Sequence, residues 1–321
     1  VGFGKTEVAM RAAFILASAG RQVVLVTPTT LLCRQHTETF RERFAGTAIR
    51  IAQLSRLVSP REATEARRHI ASGEALIVIG THALVEDKFV LENIGLAIID
   101  EQHKFGVEQR KKLVRKGQYP HVLVMTATPI PRTLGLTVYG DLDCSVIDEM
   151  PPGRGQVRTH VRTPESLPKV WGFIRDQLAA GRQAYIVYPR VDDEGGGSLK
   201  AVNQELENVR EQLAPHAVGL LHGRLKSAEK EEAVAGFLAG EIKALLATSV
   251  IEVGVDISNA TIMLIENADR FGLAQLHQLR GRIGRGAHES HCILVAGEAT
   301  DEGRRRLDVM ERGIDGFALA E

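Results

Sequence analysis

The first residues of the chain combine types that bind phosphate groups. Gly2, Gly4, Lys5 and Thr6 occur in the string Val-Gly-Phe-Gly-Lys-Thr. Glycines let backbone N–H groups close on phosphate oxygens where a helix begins, while the lysine reaches the outer phosphates and the threonine hydroxyl binds Mg²⁺. The full pattern has another glycine that would precede Val1, so we expect a longer natural chain. The alternative is a plain glycine turn that starts a helix.

Two adjacent acids, Asp100 and Glu101, follow the apolar run Leu96–Ile99. Ligands of open α/β sheets bind at the carboxyl ends of the strands. Asp100 is therefore suited to hold Mg²⁺, and Glu101 is suited to orient and deprotonate an attacking water. Solvated loop acids are the alternative, which the directly following Gln102 and His103 disfavour.

Arg282 and Arg285 have the charge needed to stabilise a transferring phosphoryl group. They belong to the string Gln278-Leu-Arg-Gly-Arg-Ile-Gly-Arg285 and share one face if that segment is helical. Cations that reach the phosphates from a second domain would make hydrolysis depend on domain closure. A basic, solvated helix is the alternative.

Short apolar runs alternate with helical patterns along the whole chain, which predicts an α/β fold with mainly parallel sheets. Near-continuous apolar strands are typical of sheets that helices cover on both faces. The predicted strands are Gln22–Val26, Ala75–Ile79, Leu96–Ile99, Val122–Met125, Ala184–Tyr188, Val218–Leu221, Ala244–Ala247, Ile262–Ile265 and Cys292–Val295. The predicted helices are Thr6–Ser18, those around the apolar stripes Val170–Leu178 and Val202–Leu213, and one from Ser227 onward.

The segment Glu149–Gly155 contains two prolines and two glycines and cannot continue either neighbouring element. It therefore predicts a boundary between a domain at residues 1–150 and a second domain at residues 151–300, followed by a terminal segment at residues 301–321. A chain of 321 residues is long enough for two such cores. No internal sequence repeat is evident to us.

Composition limits the classes of function. Lys plus Arg and Asp plus Glu are both 40, so the chain has no general positive charge and a nucleic-acid role must rest on motifs. The three cysteines lie far apart without metal-site spacing, which favours a reduced, cytoplasmic setting. No apolar run approaches the roughly 18 residues of a membrane span, so we expect no membrane partner.

Four longer strings resemble the RecG-type branch-migration helicases of superfamily 2. They are Asp100–Arg110, Thr126–Thr133, Thr248–Asp256 and Phe271–Arg282. Lys104 stands where that family usually has arginine. The strings Gly2–Phe14 and Thr27–Leu32 are more similar to Mfd, the transcription-repair coupling translocase.

The resemblance implies two RecA-like P-loop domains that use ATP and Mg²⁺ and move on double-stranded or branched DNA, such as stalled forks and Holliday junctions. It also implies a monomer with DNA-repair proteins as further partners, and it identifies Arg304–Glu321 as the start of a translocation hairpin. Aromatic residues are only 5%, so tracking of a duplex backbone fits better than base stacking on a single strand. A transcription-repair coupling translocase and a catalytically silent nucleic-acid-binding segment remain alternatives.

The resemblance further implies roles for individual residues, each with a purely structural role as its alternative. The DNA phosphates would be contacted by Thr27, Thr29, Gly80 and Thr81 in the first domain and by His222, Gly223 and Thr248 in the second. The nucleotide would be contacted by Gly254 and Asp256 at its ribose and sensed in the catalytic centre by Gln278. Hydrolysis would be coupled to domain motion by Thr126 and Thr128.

Overall fold

The computed structural model describes residues 2–56, 58–85, 91, 93–100, 120–126, 143–151, 153–189, 197–248, 257–297 and 300–313. The chain divides into two compact units that fall largely within residues 3–127 and 128–321, here called the amino-terminal and carboxy-terminal units. Among the helices in these described ranges, none has both the length and the apolar character that crossing a membrane requires.

The amino-terminal unit is one parallel sheet covered by helices. Its strands are β1 Gln22–Val26, β2 Arg50–Leu54, β3 Ala75–Gly80, β4 Ile94–Asp100 and β5 His121–Met125. Its described helices are α1 Lys5–Ser18, α2 Thr30–Arg43 and α3 Pro60–Ala71, with a 3₁₀ turn at His82–Val85. The strands lie in the order β2-β3-β1-β4-β5, and every pair is parallel.

Both faces of this sheet are buried, which explains the continuous apolar runs. Val23 and Leu25 of β1 pack with α1 and α2 on one face. Val24 and Val26 pack on the other face, together with Ile70 of α3. Because side chains alternate across a strand, a strand that is covered on both sides needs apolar residues at every position.

The carboxy-terminal unit repeats this architecture with six strands. They are β6 Val157–Arg162, β7 Gln183–Tyr188, β8 Val218–Leu221, β9 Ala244–Thr248, β10 Ala260–Ile265 and β11 Ser290–Val295. The helices are α4 Leu167–Ala179, α5 Gly197–Leu213, α6 Ser227–Leu238, α7 Leu273–Arg280 and α8 Asp301–Glu311, with 3₁₀ turns at Pro164–Ser166 and Ala268–Arg270. The strands lie in the order β6-β11-β10-β7-β9-β8, again all parallel, and one face packs on α4 and α5.

The predicted α/β fold with two mainly parallel sheets is confirmed, and all nine predicted strands occur within two residues of their predicted ends. The sequence analysis missed β2 and β6. Each of these strands lies at an edge of its sheet in the described structure, and each is only partly buried. An edge strand needs fewer apolar residues, and β6 carries Arg158 and Arg162 among its six positions, so neither strand forms an apolar run.

Contrary to the sequence analysis, the chain contains a short internal repeat. Ala19-Gly20-Arg21-Gln22 joins α1 to β1, and Ala180-Gly181-Arg182-Gln183 joins α4 to β7. The two glycines have φ angles of +75° and +86°. The repeat therefore marks equivalent turns before an interior strand of each sheet.

The glutamine of the first turn holds together three neighbouring elements. Gln22 is 3% exposed, and its Nε2 donates to the carbonyl oxygens of Ile70 at 2.9 Å and Ala75 at 3.1 Å. These carbonyls lie on either side of the connection from α3 to β3. In addition, the backbone N–H of Gln22 donates to Asn93 O at 2.9 Å, while Asn93 Nδ2 donates to Gly20 O at 3.1 Å.

Gln183 makes the same set of bonds in the carboxy-terminal unit. It is 2% exposed, and its Nε2 donates to the carbonyl oxygens of Phe237, at the end of α6, and Ile242, in the connection to β9. Its backbone N–H donates to Asn259 O at 3.1 Å, and Asn259 Nδ2 donates to Gly181 O at 2.8 Å. One buried amide thus fixes the amino-terminal ends of two adjacent strands in each unit.

We expect Gln22→Met to lower the free energy of unfolding by about 1–3 kcal/mol, because buried carbonyl groups lose a donor that an apolar side chain cannot replace. Urea denaturation followed by circular dichroism measures this change. Gln204 is exposed on α5 and provides the matched control. Gln204→Met should change stability by less than about 0.5 kcal/mol, and equal effects of the two substitutions would contradict the role of the buried amide.

Candidate active site

The start of α1 has the geometry of an anion-binding helix terminus. Gly4 caps the helix in the left-handed region with φ +86°, Gly2 has φ +85°, and Lys5 and Thr6 form the first turn. Only glycine adopts this backbone conformation readily, and it brings no side chain to cap the helix. An anion would therefore meet the backbone N–H groups and the positive end of the helix dipole.

The topology brings Asp100 to the same sheet edge as this helix start. α1 packs along the sheet through Ala9, Ala13 and Ala17, and its last turn leads directly into the beginning of β1. Its first residue therefore lies towards the carboxyl ends of the strands. Asp100 is the last residue of β4, which pairs with β1. Lys5, Thr6 and Asp100 thus lie towards the carboxyl ends of the strands of one sheet.

A histidine that the sequence analysis did not single out contacts this carboxylate. The Nε2 atom of His36, on α2, lies 2.9 Å from Asp100 Oδ2, and the two residues are 6% and 7% exposed. His36 falls on the buried stripe of α2, which includes Leu32, Cys33 and Phe40. The signal in the sequence is a polar ring at an apolar position of an amphipathic helix.

Asp100 and Thr6 fit the usual mode of magnesium binding beside a nucleotide. The described residues contain no group of three or more His, Cys, Asp or Glu side chains that could hold a metal ion. Proteins bind Mg²⁺ mostly through one or two carboxylates together with the phosphates of the substrate. One buried carboxylate and one hydroxyl at the phosphate-binding edge meet that requirement. Glu101, the predicted catalytic base, lies outside the described residues.

The loop after β1 is closely bonded to the end of β3. Thr27 N–H donates to Gly80 O at 2.9 Å, and its hydroxyl is directed at the oxygens of Gly80 and Thr29, at 3.3 and 3.2 Å. Thr27 is fully buried, so the predicted direct contact of its hydroxyl with DNA does not fit this structure. Thr29 is partly exposed, and its Oγ1 caps α2 by accepting from Leu32 N at 3.2 Å.

Packing within the unit also explains the residue types at Thr81 and Gly80, the other two positions predicted to contact DNA. Thr81 is 4% exposed, and its N–H donates to Leu54 O at 3.3 Å. A Cβ atom at Gly80 would lie 2.6 Å from Leu54 O and 2.7 Å from Leu84 Cδ1. Glycine at position 80 is therefore required by the close approach of β2 and the following turn. Of the four residues predicted to contact DNA in this unit, Thr29 has the most accessible side chain.

The predicted strand-tracking residues of the carboxy-terminal unit lie at the ends of two adjacent strands. His222 and Gly223 follow β8, and Thr248 ends β9. The Nδ1 of His222 accepts from Arg224 N at 3.2 Å, and partial burial and the charge of Lys230 lower the pKa of His222. Lys230 Nζ donates to Gly223 O at 2.9 Å. Arg224 and Lys230 thus lie beside the predicted residues, and the sequence analysis had not assigned a role to either cation.

Arg282 and Arg285 do not lie on a helix, contrary to the helical alternative of the sequence analysis. α7 carries Gln278 and ends before both arginines, which occupy the following turn, and Arg285 Nε donates to Gly281 O at 3.3 Å. The positive charges of both arginines influence the pKa of the buried Tyr185 in β7. Burial raises the pKa of Tyr185 to about 12, and the two positive charges oppose that rise.

Gly284 and Gly286 fix the arginine turn, defined as residues 281–286, against β6, the outermost strand of the sheet. Gly284 adopts φ +74°, and a Cβ atom there would collide with the side chain of Val157 in β6. Gly155 N–H donates to Gly286 O at 2.8 Å. A helix cannot continue through a left-handed residue, so Gly284 prevents Arg282 and Arg285 from sharing one helical face.

A second acid follows a buried strand of the carboxy-terminal unit. Glu266 comes directly after β10 and is 9% exposed. Burial and the nearby charge of Glu205 raise the pKa of Glu266 to about 7. Glu205 also forms a hydrogen bond with Tyr188, whose pKa is raised by burial and by both acids. An acid after an apolar strand was the signal that identified Asp100, and it identifies Glu266 equally well.

Several predicted residues remain untested by the geometry. Thr126 directly follows β5 and is partly buried. Thr128, Gly254 and Asp256 lie outside the described residues. Within the predicted terminal hairpin, α8 covers Asp301–Glu311, and residues 314–321 also lie outside them.

Comparison with known proteins supports the features described above. The chain matches the family models of the DEAD/DEAH box helicases over residues 1–136 and of the helicase conserved C-terminal domain over residues 168–287. Along its whole length it is 46% identical to the ATP-dependent DNA helicase RecG of Synechocystis sp. and 45% identical to that of Bacillus subtilis. It spans 39% and 47% of these relatives.

Solved structures agree with these matches. A RecG structure bound to a three-way DNA junction has a TM-score of 0.84 and 41% identity, and the alignment covers 99% of this chain and 42% of that protein. The Saccharomyces cerevisiae protein Dbp5, bound to RNA and ADP BeF3, has a TM-score of 0.69 at 18% identity, with 100% and 82% of the two chains covered. The second similarity concerns the fold alone. The resemblance to RecG-type helicases stated from the sequence motifs is confirmed.

We expect Glu266→Gln to stabilise the protein at pH 8 by about 1–3 kcal/mol and to have little effect at pH 4.5. Folding raises the pKa of Glu266 from its ordinary value of 4.5 to about 7. The wild-type protein therefore loses stability as the pH rises through this window and the buried carboxyl ionises, whereas glutamine stays neutral. Denaturation midpoints at the two pH values measure the difference. Glu241→Gln, at an exposed glutamate, should show no such pH dependence.

Proposed function

Since this chain is a helicase motor of the RecG type, we propose that it couples ATP hydrolysis to movement along double-stranded or branched DNA. One observation carries the proposal: Lys5 and Thr6 at the start of α1 lie at the same sheet edge as Asp100 at the end of β4. This arrangement pairs a phosphate-binding helix terminus with a buried carboxylate. Stalled forks and junctions are the proposed substrates, since a RecG relative binds a three-way DNA junction.

The amino-terminal unit is proposed to bind the nucleotide. The backbone around Gly2 and Gly4 would surround the phosphates, and Lys5 would contact the outer ones. Thr6 and Asp100 would hold Mg²⁺, which neutralises phosphate charge when bound. In the same proposal Glu101 orients and deprotonates the attacking water, Gly254 and Asp256 contact the ribose, and Gln278 senses the nucleotide.

Arg282 and Arg285 are proposed to stabilise the negative charge of the transferring phosphoryl group. A cation at this position typically contributes about 10³–10⁵ in rate, or roughly 4–7 kcal/mol of the barrier. The anchored turn supports this role, because Gly284 and the bond between Gly155 and Gly286 hold it against β6. A preorganised cation loses little conformational entropy when the phosphate approaches.

DNA is proposed to be held by its backbone at the carboxyl edges of both sheets. Thr29 would contact it in the amino-terminal unit, and His222, Gly223 and Thr248 would do so in the carboxy-terminal unit, with Thr27, Gly80 and Thr81 supporting the loops. Such contacts hold register without reading sequence. Thr126 and Thr128 would couple hydrolysis to motion.

The wider assignments are also proposals. We propose domains at residues 1–150 and 151–300, a translocation segment at 301–321, and a cytoplasmic monomer that works with DNA-repair proteins. Similarity to RecG over the whole chain favours fork and junction remodelling over transcription-coupled repair. ATP hydrolysis measured with and without duplex or forked DNA separates a motor from a silent nucleic-acid-binding module, for which no hydrolysis would be found.

Substitutions at two positions should separate nucleotide binding from hydrolysis in the complete natural protein. Lys5→Ala should abolish binding of a fluorescent ATP analogue, because the phosphates lose their cation. Glu101→Gln should keep that binding and lower the steady-state hydrolysis rate by at least about 100-fold, the usual contribution of a general base. Lys243→Ala is the control and should change neither quantity, because Lys243 lies at the amino-terminal end of β9 in the carboxy-terminal sheet. Normal turnover in Glu101→Gln would remove Glu101 from the catalytic role.

The salt dependence of duplex binding should distinguish charged from uncharged phosphate contacts. Each neutralised phosphate contributes about 0.9 to the slope of log affinity against log salt concentration. Arg224→Ala should therefore reduce that slope by about 1, whereas Thr29→Val should weaken binding at every salt concentration and leave the slope unchanged. Fluorescence anisotropy with a labelled duplex measures both quantities. Arg210→Ala, exposed on the last turn of α5, should change neither.

A further inference from the structure

The contact between His36 and Asp100 joins α2 to the end of β4. Both residues are more than nine-tenths buried, and Nε2 and Oδ2 are 2.9 Å apart. In the tautomer that carries its proton on Nε2, His36 donates a hydrogen bond to this carboxylate oxygen. Such a bond restricts the rotation of the carboxylate that the proposed function assigns to Mg²⁺.

Packing holds the histidine in place. On the same helix, Cys33 and Phe40 are fully buried, and Thr37 Oγ1 donates to Cys33 O at 2.7 Å. The ring of His36 therefore reaches Asp100 from a fixed helix surface and not from a mobile loop.

The same helix begins in the loop that is proposed to contact DNA. Thr29 caps α2, and the loop is tied to β3 through the bonds between Thr27 and Gly80. His36 lies seven positions after Thr29, which corresponds to about 10 Å along a helix. A displacement of the loop that moved α2 would also move the donor that faces Asp100.

We propose that His36 is a positioning residue for Asp100, and that it fixes the carboxylate in the orientation that binds Mg²⁺ with the nucleotide. This inference rests on the proposed function and adds a residue to it. Groups that hydrogen-bond to metal ligands typically contribute 10–100-fold to metal affinity. The essential element is one N–H group at the position of Nε2.

Two polar substitutions test this inference in the complete natural protein. The amide nitrogen of glutamine reaches the position of Nε2, whereas the shorter asparagine reaches only the position of Nδ1. His36→Asn should raise the Mg²⁺ concentration for half-maximal binding of a fluorescent, non-hydrolysable ATP analogue by about 10-fold. His36→Gln should stay within about 2-fold of the wild type. Thr37→Val, a buried change on the same helix, should not alter the Mg²⁺ dependence.

Steady-state kinetics give a second measurement. His36→Asn should recover most of its hydrolysis rate at saturating Mg²⁺, because the defect lies in metal binding, while thermal melting shows whether each variant is folded. Equal Mg²⁺ requirements in the asparagine and glutamine variants, whether normal or raised, would overturn the role of the Nε2 donor. If the wild-type protein bound no Mg²⁺–nucleotide, the proposed function itself would fail. Normal wild-type binding with an unaffected asparagine variant would remove only this inference.

Discussion

Parallel pairing of fully buried strands is the constraint from which the arrangement of this molecule follows. Parallel neighbours require a crossover, so a helix or long connection must return the chain to the starting edge after each strand. All carboxyl ends of a sheet then meet at one edge. In the amino-terminal unit this edge collects the first turn of α1, the loop that starts α2, and Asp100. Residues distant in sequence become neighbours because they lie at the carboxyl ends of strands in one sheet.

At the amino-terminal ends of the strands, buried hydrogen bonds stabilise the structure of each unit. There, Gln22 and Gln183 bind the carbonyl oxygens that flank a neighbouring connection, and Asn93 and Asn259 close the same turns from the other side. Buried polar groups with these hydrogen bonds favour one arrangement of the strand starts. Because these bonds fix the strand starts, the loops at the carboxyl edges can bear residues chosen for chemistry instead of stability.

The sequence predicted the interior strands because burial on both faces imposes a continuous apolar pattern. It did not predict β2 and β6, whose partial exposure permits Arg50 and Arg158. Among site residues, Lys5 and Thr6 lie at a helix start and Asp100 at a strand end, and such positions can be read from the sequence pattern around them. The roles of Thr27 and His36 depend on which side chains face each other across α2, β3 and β4. No pattern within a single element contains that information.

The two acids that follow buried strands show how surroundings give one residue type different properties. Asp100 Oδ2 lies 2.9 Å from His36 Nε2, whereas burial and the nearby charge of Glu205 raise the pKa of Glu266 to about 7. The contact with His36 orients the carboxylate of Asp100. Burial, together with the nearby charge of Glu205, favours the neutral form of Glu266. At neutral pH this partial neutralisation lowers the negative charge at an edge where, in the proposed function, phosphate groups must approach. In the proposed function, the position of Asp100 can therefore bind Mg²⁺, while the similar position of Glu266 can tolerate a nearby phosphate group.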